Sequence, residues 1–154
     1  MTTRLQLQIQ CHYPDMPVPT RAHASDAGLD LTAMSVEEVR PGLFAFDTGI
    51  SIAPPAGYYA EVVPRSSIIK TGFMLANSVG IIDPDYRGRI KVMLRHVAWP
   101  PASSAEQMLA EAQALVGNRI AQLLVRRLEL AEVNVVPQLE TTVRGSGGFG
   151  SSGS

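Results

Sequence analysis

Apolar and polar residues alternate in short runs along most of this chain, and only one stretch takes up a helical rhythm. Leu5, Leu7 and Ile9 are spaced by Gln6, Gln8 and Gln10, the pattern of a half-buried strand. Leu29 and Leu31 predict a second strand, with Asp30 on its opposite face and Gly28 beside it to permit close backbone approach. Phe44 to Ile52 and Tyr58 to Val63 predict two more, joined by the turn Pro54-Pro-Ala-Gly57. Val79, Ile81 and Ile82 then lead into a polar centre, Asp83-Pro-Asp-Tyr-Arg-Gly88, and Ile90, Val92 and Leu94 lead out with period two. That pattern predicts a rigid hairpin with Asp83 and Tyr86 at its tip.

The helical stretch is Pro100 to Val116. Ser103 with Glu106, or Ser104 with Gln107, makes a capping box there. Met108, Leu109, Ala112, Leu115 and Val116 share one face, a packing stripe, and Gly117 can end the helix. A turn and an apolar strand follow from Gly117 to Val125, with Gln122 as a polar residue among apolar neighbours, either solvent-facing or placed for a purpose.

The 154 residues suffice for one domain with a real core. With 13 glycines, 11 prolines and little helix-favouring sequence elsewhere, the expected class is all-β, many short strands joined by tight turns. Basic and acidic residues number 13 and 14, which gives no footprint for nucleic acid or an anionic membrane. No apolar run approaches a membrane span, and the N-terminus lacks a signal-peptide core, so the default expectation is a soluble, cytoplasmic protein. The single Cys11 cannot form an internal disulfide and reads as a small, semi-buried side chain.

Several stretches carry more chemistry than structure demands. Asp83, Asp85, Tyr86 and Arg87 are either ordinary turn residues or the acid and phenol of a site. Arg65, Ser66 and Ser67 suit a phosphate ester, or else a serine caps the turn that begins at Ile68. The last segment, from Arg144, is rich in glycine and serine and has no means of packing itself. It reads as a linker-like tail, except that Arg144 and Phe149 are not linker residues.

Taken together, these stretches resemble the trimeric deoxyuridine triphosphatase (dUTPase) family. Its five motifs appear in order as Ala27-Gly-Leu-Asp-Leu31, Pro64-Arg-Ser-Ser-Ile-Ile-Lys-Thr-Gly72, Gly80-Ile-Ile-Asp-Pro-Asp-Tyr-Arg-Gly88, Gly117-Asn-Arg-Ile-Ala-Gln-Leu123 and Arg144-Gly-Ser-Gly-Gly-Phe-Gly-Ser-Ser-Gly153. The resemblance implies a jelly-roll-like domain over residues 1–143, with an inserted surface helix at about 103–116. It also implies a flexible tail, 144–154, that closes over a neighbouring active site in a homotrimer. The implied reaction is hydrolysis of dUTP to dUMP and pyrophosphate.

Under that resemblance Asp83 activates the attacking water, Asp30 positions waters around a Mg²⁺ held by the phosphates, and Arg144 reaches the γ-phosphate. No side chain is expected to bind the metal directly. Arg65, Ser66, Ser67 and Gln122 match phosphate contacts. Asn77, in the strand before the hairpin, with Gly80 and Ile82, would read the uracil. Tyr86 would lie on the deoxyribose, Phe149 would stack on the base, and Lys91, Gly150 and Ser151 complete the expected binding set. Ser67 stands where glycine is commoner and Asn118 where an acid is usual, which leaves the partner of Arg119 open. The dCTP deaminases share the fold, but their chemistry calls for a glutamate proton shuttle that the Asp83 stretch does not match. A nucleotide-binding regulator without turnover would not need both Asp83 and Arg144.

Overall fold

A computed structural model describes residues 5–98 and 104–147. Among these described residues, ten strands and one α-helix follow in the order β1 (Gln8–Cys11), β2 (Leu29–Thr32), β3 (Ser35–Arg40), β4 (Leu43–Asp47), β5 (Ile50–Ala53), β6 (Tyr58–Pro64), β7 (Phe73–Leu75), β8 (Gly80–Ile82), β9 (Lys91–His96), α1 (Ala105–Gln113) and β10 (Arg119–Arg127). A 3-10 turn, Ser66–Lys70, follows β6.

The strands form three antiparallel sheets, β2-β10-β6-β8, β3-β4-β9-β7 and the small pair β1-β5. Period-two alternation turns one set of side chains from each four-stranded sheet into a common core. Leu31, Val62 and Leu123 enter it from the first, and Phe44, Phe46, Val92 and Leu94 from the second. Phe73 meets Phe44 and Phe46 edge to face, at 5.8 and 6.4 Å between centroids, which suits the ring quadrupoles.

Several sequence expectations change in detail. The run Phe44 to Ile52 is two strands, because the chain turns a corner at Asp47-Thr48-Gly49 and leaves one sheet for another. The first strand begins at Gln8, and Cys11 at its end is exposed rather than semi-buried. The hairpin at Asp83 does not form. β8 pairs with β6 and β9 with β4 and β7, so residues 83–90 cross from one sheet to the other. Alternation on both flanks identifies strands but cannot say that they pair with each other.

Helix α1 starts where Ser104 accepts the Gln107 N–H, the second of the two caps considered; Ser103 lies outside the described residues. Most of its stripe packs as expected, with Ala112 fully buried and Met108, Leu109 and Leu115 against the core, but Val116, past the helix end, is exposed. The helix therefore lies on the domain surface and is seated there by this one face. His96 on β9, almost fully buried, reinforces the seat through Glu111 at 2.7 Å. Gly117, at φ +84, reverses the chain, and its N–H donates to Ala33 O.

Candidate functional site

Two clusters gather the sequence-derived candidates. The first lies where β2, β10 and the end of β6 meet. Asp30 and Gln122 are register partners, so their side chains share the face opposite the buried Leu31 and Leu123. Gln122 Nε2 donates to Pro64 O at 3.1 Å, so the glutamine is placed rather than merely solvated. A Cβ on Gly28 would overlap the Gln122 amide and lie 2.9 Å from its Cβ, so only glycine admits that side chain.

Asp30 is held from both sides: Arg65 Nε meets Oδ1 at 2.8 Å and Arg119 Nη1 meets Oδ2 at 3.0 Å. This gives Arg119 its partner. Asn118 instead donates to Ala114 O at the end of α1, a capping role that an acid could not fill. Two guanidiniums around one carboxylate leave one positive charge in excess beside the exposed Ser66 and Ser67. No side chain caps the 3-10 turn, so neither serine is used as the helix cap that the sequence also allowed. That surplus charge suits an anion.

The second cluster is a groove of about 390 Å³ on the crossing between sheets, lined by Asn77, Gly80, Ile82, Asp83, Tyr86 and Lys91 among others. All six were candidates by sequence. Asn77 occupies the turn between β7 and β8 and not a strand; Ser78 beside it takes φ +61, a left-handed conformation rare for serine. Asp83 and Tyr86 are exposed, and the phenol donates to Arg89 O at 3.2 Å. A Cβ on Gly88 would overlap the Tyr86 hydroxyl, so the ring folds back over that glycine. Lys91 lines the groove but also pairs with Glu37 at 2.8 Å, a contact that raises its pKa.

The clusters do not meet within one chain. Val62 pairs with Gly80 and Ala60 with Ile82, so the register carries Asp83 to the Tyr59 end of β6, where both line a shallow cleft. Arg65 follows the other end. Six extended residues separate the two, roughly 20 Å at about 3.3 Å per residue.

Arg144 lies past β10 on an exposed arm and donates through Nε to Gly147 O at 2.9 Å. Phe149, Gly150 and Ser151 fall outside the described residues. Sequence reasoning missed Asp47 and Arg89, whose ion pair of 2.9 Å ties the end of the crossing to β4. The only trace of it was a polar residue closing an apolar run, just before Thr48-Gly49.

Among solved structures, a mutant dUTPase of Staphylococcus bacteriophage 80alpha with dUpNHpp superposes with a TM-score of 0.76 at 22% identity, over 97% of this chain and 99% of that one. A mutant dUTPase from phage phi11 of S. aureus, studied for its coordination of a structural Mg(II) ion, matches with a TM-score of 0.69 at 20% identity, over 88% of this chain and 99% of that one. The fold is thus of the jelly-roll-like dUTPase class. The dUTPase family profile matches residues 14–153. Deoxyuridine 5'-triphosphate nucleotidohydrolases of Rhodococcus erythropolis and Nocardia farcinica are 40% and 44% identical. The matches cover 99% and 91% of this chain, and 89% and 81% of those proteins. The chain belongs to the dUTPase family.

Proposed function

We propose that this protein is a dUTP diphosphatase that hydrolyses dUTP to dUMP and pyrophosphate at sites shared between the chains of a homotrimer. The observation that carries the shared-site reading is the placement of Asp83 and Arg65 at opposite ends of β6. A base and a phosphate grip some 20 Å apart cannot act on one phosphorus, whereas two copies can bring them together. The exposed arm after β10 gives further support. Leu130, Val133, Val135 and Leu139 on it are 81–90% exposed, so among the described residues they find almost no cover.

Asp83 orients a water and accepts its proton as the oxygen attacks the α-phosphorus. Its exposure on the open groove keeps it within reach of a water once a neighbour's phosphate grip closes the site. Arg65, Ser66, Ser67 and Gln122 hold the triphosphate from the neighbouring chain, and the surplus positive charge around Asp30 favours the pyrophosphate leaving group. Asn77 with the backbone of Gly80 and Ile82 reads the uracil edge, and Tyr86 closes on the deoxyribose. The tail from Arg144 brings an arginine to the γ-phosphate, and Phe149 stacks on the base. Lys91, Gly150 and Ser151 complete the binding set.

Among the described residues no three His, Cys, Asp or Glu side chains cluster as a metal site, and both Asp30 oxygens already accept guanidinium bonds. A Mg²⁺ carried on the phosphates would be held by Asp30 through its water shell, since a carboxylate between two guanidiniums keeps lone pairs that can accept from water. When bound, Mg²⁺ supplies neutralisation of the triphosphate charge. Among the described residues no helix is long and apolar enough to cross a membrane, and the cytoplasm, where nucleotide pools are kept, is the expected setting.

Mixing two inactive variants tests the sharing. Asp83→Asn and Arg65→Ala, co-refolded, regain pyrophosphate release, because a mixed trimer contains some sites with both wild-type residues. No recovery after verified subunit exchange would overturn the shared site. Heavy-oxygen water labelling pyrophosphate and not dUMP would overturn attack at the α-phosphorus.

A further inference from the structure

The groove residue Tyr86 is held in place by groups that no binding role explains. Its hydroxyl donates to Arg89 O. The peptide that carries this carbonyl is pinned on its far side, since Ile90 N–H donates to Ile50 O at 2.9 Å. A trans peptide points its C=O and N–H in opposite directions, so the Ile50 contact aims the Arg89 carbonyl outward at the phenol. The carbonyl of Ile90 accepts from both Thr48 N–H, 3.1 Å, and Thr48 Oγ1, 2.7 Å. Ile50, Thr48 and Ile90 are all essentially buried, so one end of the Tyr86 anchor is fixed to the core.

The side chain of Arg89 fixes the other end. Its Nη1 meets Asp47 Oδ2 at 2.9 Å and the Tyr13 hydroxyl at 3.3 Å, and the guanidinium lies 5.3 Å from the Tyr13 ring centroid. Asp47 is 9% exposed and oriented in turn, its Oδ1 taking the Gly49 N–H at 2.7 Å. The Tyr13 hydroxyl approaches Oδ2 at 3.4 Å. Two segments distant in sequence, Tyr13 and Asp47 to Ile50, therefore converge on the residue whose carbonyl receives the phenol.

We propose that Asp47, Arg89 and Tyr13 are positioning residues that set the tilt of the Tyr86 ring and, through it, the discrimination between deoxyribose and ribose. This rests on the reading of Tyr86 as the wall beside the sugar. Excluding one hydroxyl group is a matter of tenths of an ångström, because a ring that can rock outward makes room for it. Thr48 and Ile50 hold β9 in place without Arg89. Loss of the guanidinium therefore loosens the crossing from Asp83 to Arg89 and leaves the sheet standing.

The test compares kcat/KM for dUTP and UTP in the full-length protein carrying Arg89→Ala, Arg89→Lys, Asp47→Asn or Tyr86→Ala. Arg89→Ala is expected to lower the dUTP:UTP ratio about 10-fold, mainly by raising turnover of UTP, with kcat for dUTP changing far less. Arg89→Lys, which keeps a cation within reach of Asp47, restores part of the ratio. Asp47→Asn keeps the acceptor for Gly49 and shows a smaller loss in the same direction, which preserves the test if Arg89→Ala misfolds. If Tyr86→Ala abolishes discrimination while Arg89→Ala and Asp47→Asn leave it at the wild-type value, the clamp is refuted and the sugar wall stands. If Tyr86→Ala also leaves the ratio unchanged, the sugar-wall reading fails and the clamp proposal falls with it.

Discussion

Gly28 and Gln122 meet where β2 pairs with β10, and the missing side chain of the glycine is what lets the glutamine amide lie against its backbone. Gly28→Ala forces that amide away from Pro64 O and from the face it shares with Asp30. The expected result is a rise of about 10-fold in KM for dUTP and a stability loss of about 1–3 kcal/mol, the usual range for overpacking. Steady-state kinetics beside urea unfolding checks both.

Asp83 is exposed and its side chain carries no part of the fold. Asp83→Asn is expected to bind dUTP nearly normally and to turn over at least about 10²-fold more slowly, the scale of lost general-base assistance. Calorimetric binding with pyrophosphate release separates the two effects. A near-native rate removes Asp83 from the base role.

Truncation after Val143 removes Arg144, whose side chain contacts only the nearby Gly147 carbonyl among the described residues. Turnover is expected to collapse while the melting temperature stays within about 2 °C, since Arg144, Gly145 and Ser146 are exposed and losing exposed residues costs well under about 1 kcal/mol. An unfolded truncated protein would make the tail structural instead.

Glu111 ties α1 to β9. Its carboxyl is held below the ordinary value of 4.5 by hydrogen bonds from His96 and then Gln107. A depressed carboxyl stabilises the fold when ionised, so its contribution is complete above pH 4.5 and fades as the pH falls below that value. Glu111→Gln is therefore less stable than wild type at pH 7, and the gap closes as the pH falls below 4.5. Urea unfolding at several pH values measures this. A gap that does not change with pH would mean the pair contributes only shape.

Much of this architecture was legible in the chain because it is written locally. Leu29 and Leu31 flanking Asp30, the Ser104 alternative for the helix cap and the stripe from Met108 to Leu115 each depend on a few adjacent residues and are found in the structure, while Val116, expected in that stripe, is exposed. Sheet membership is a non-local property. Alternation on both sides of Asp83 looks the same whether the strands pair with each other or with strangers, so a crossing passed for a hairpin. The break at Asp47-Thr48-Gly49 was hidden because buried apolar residues run up to it on both sides. The Asp47–Arg89 pair bridges 42 positions, and nothing near either residue announces the other.

The six groove candidates were named together from the sequence because they all fall within one stretch, residues 77–91. What no motif conveys is direction. That Asp83 and Arg65 lie at opposite ends of one strand follows only from the pairing of β6 with β8.

The apolar arm beyond Arg127 has a thermodynamic corollary. If these exposed side chains find cover on another copy, as the proposed trimer requires, folding is a reaction of higher order than one and resistance to heat depends on how much protein is in the tube. Samples measured at nanomolar and at micromolar concentration would then melt at different temperatures while sharing every intrachain contact.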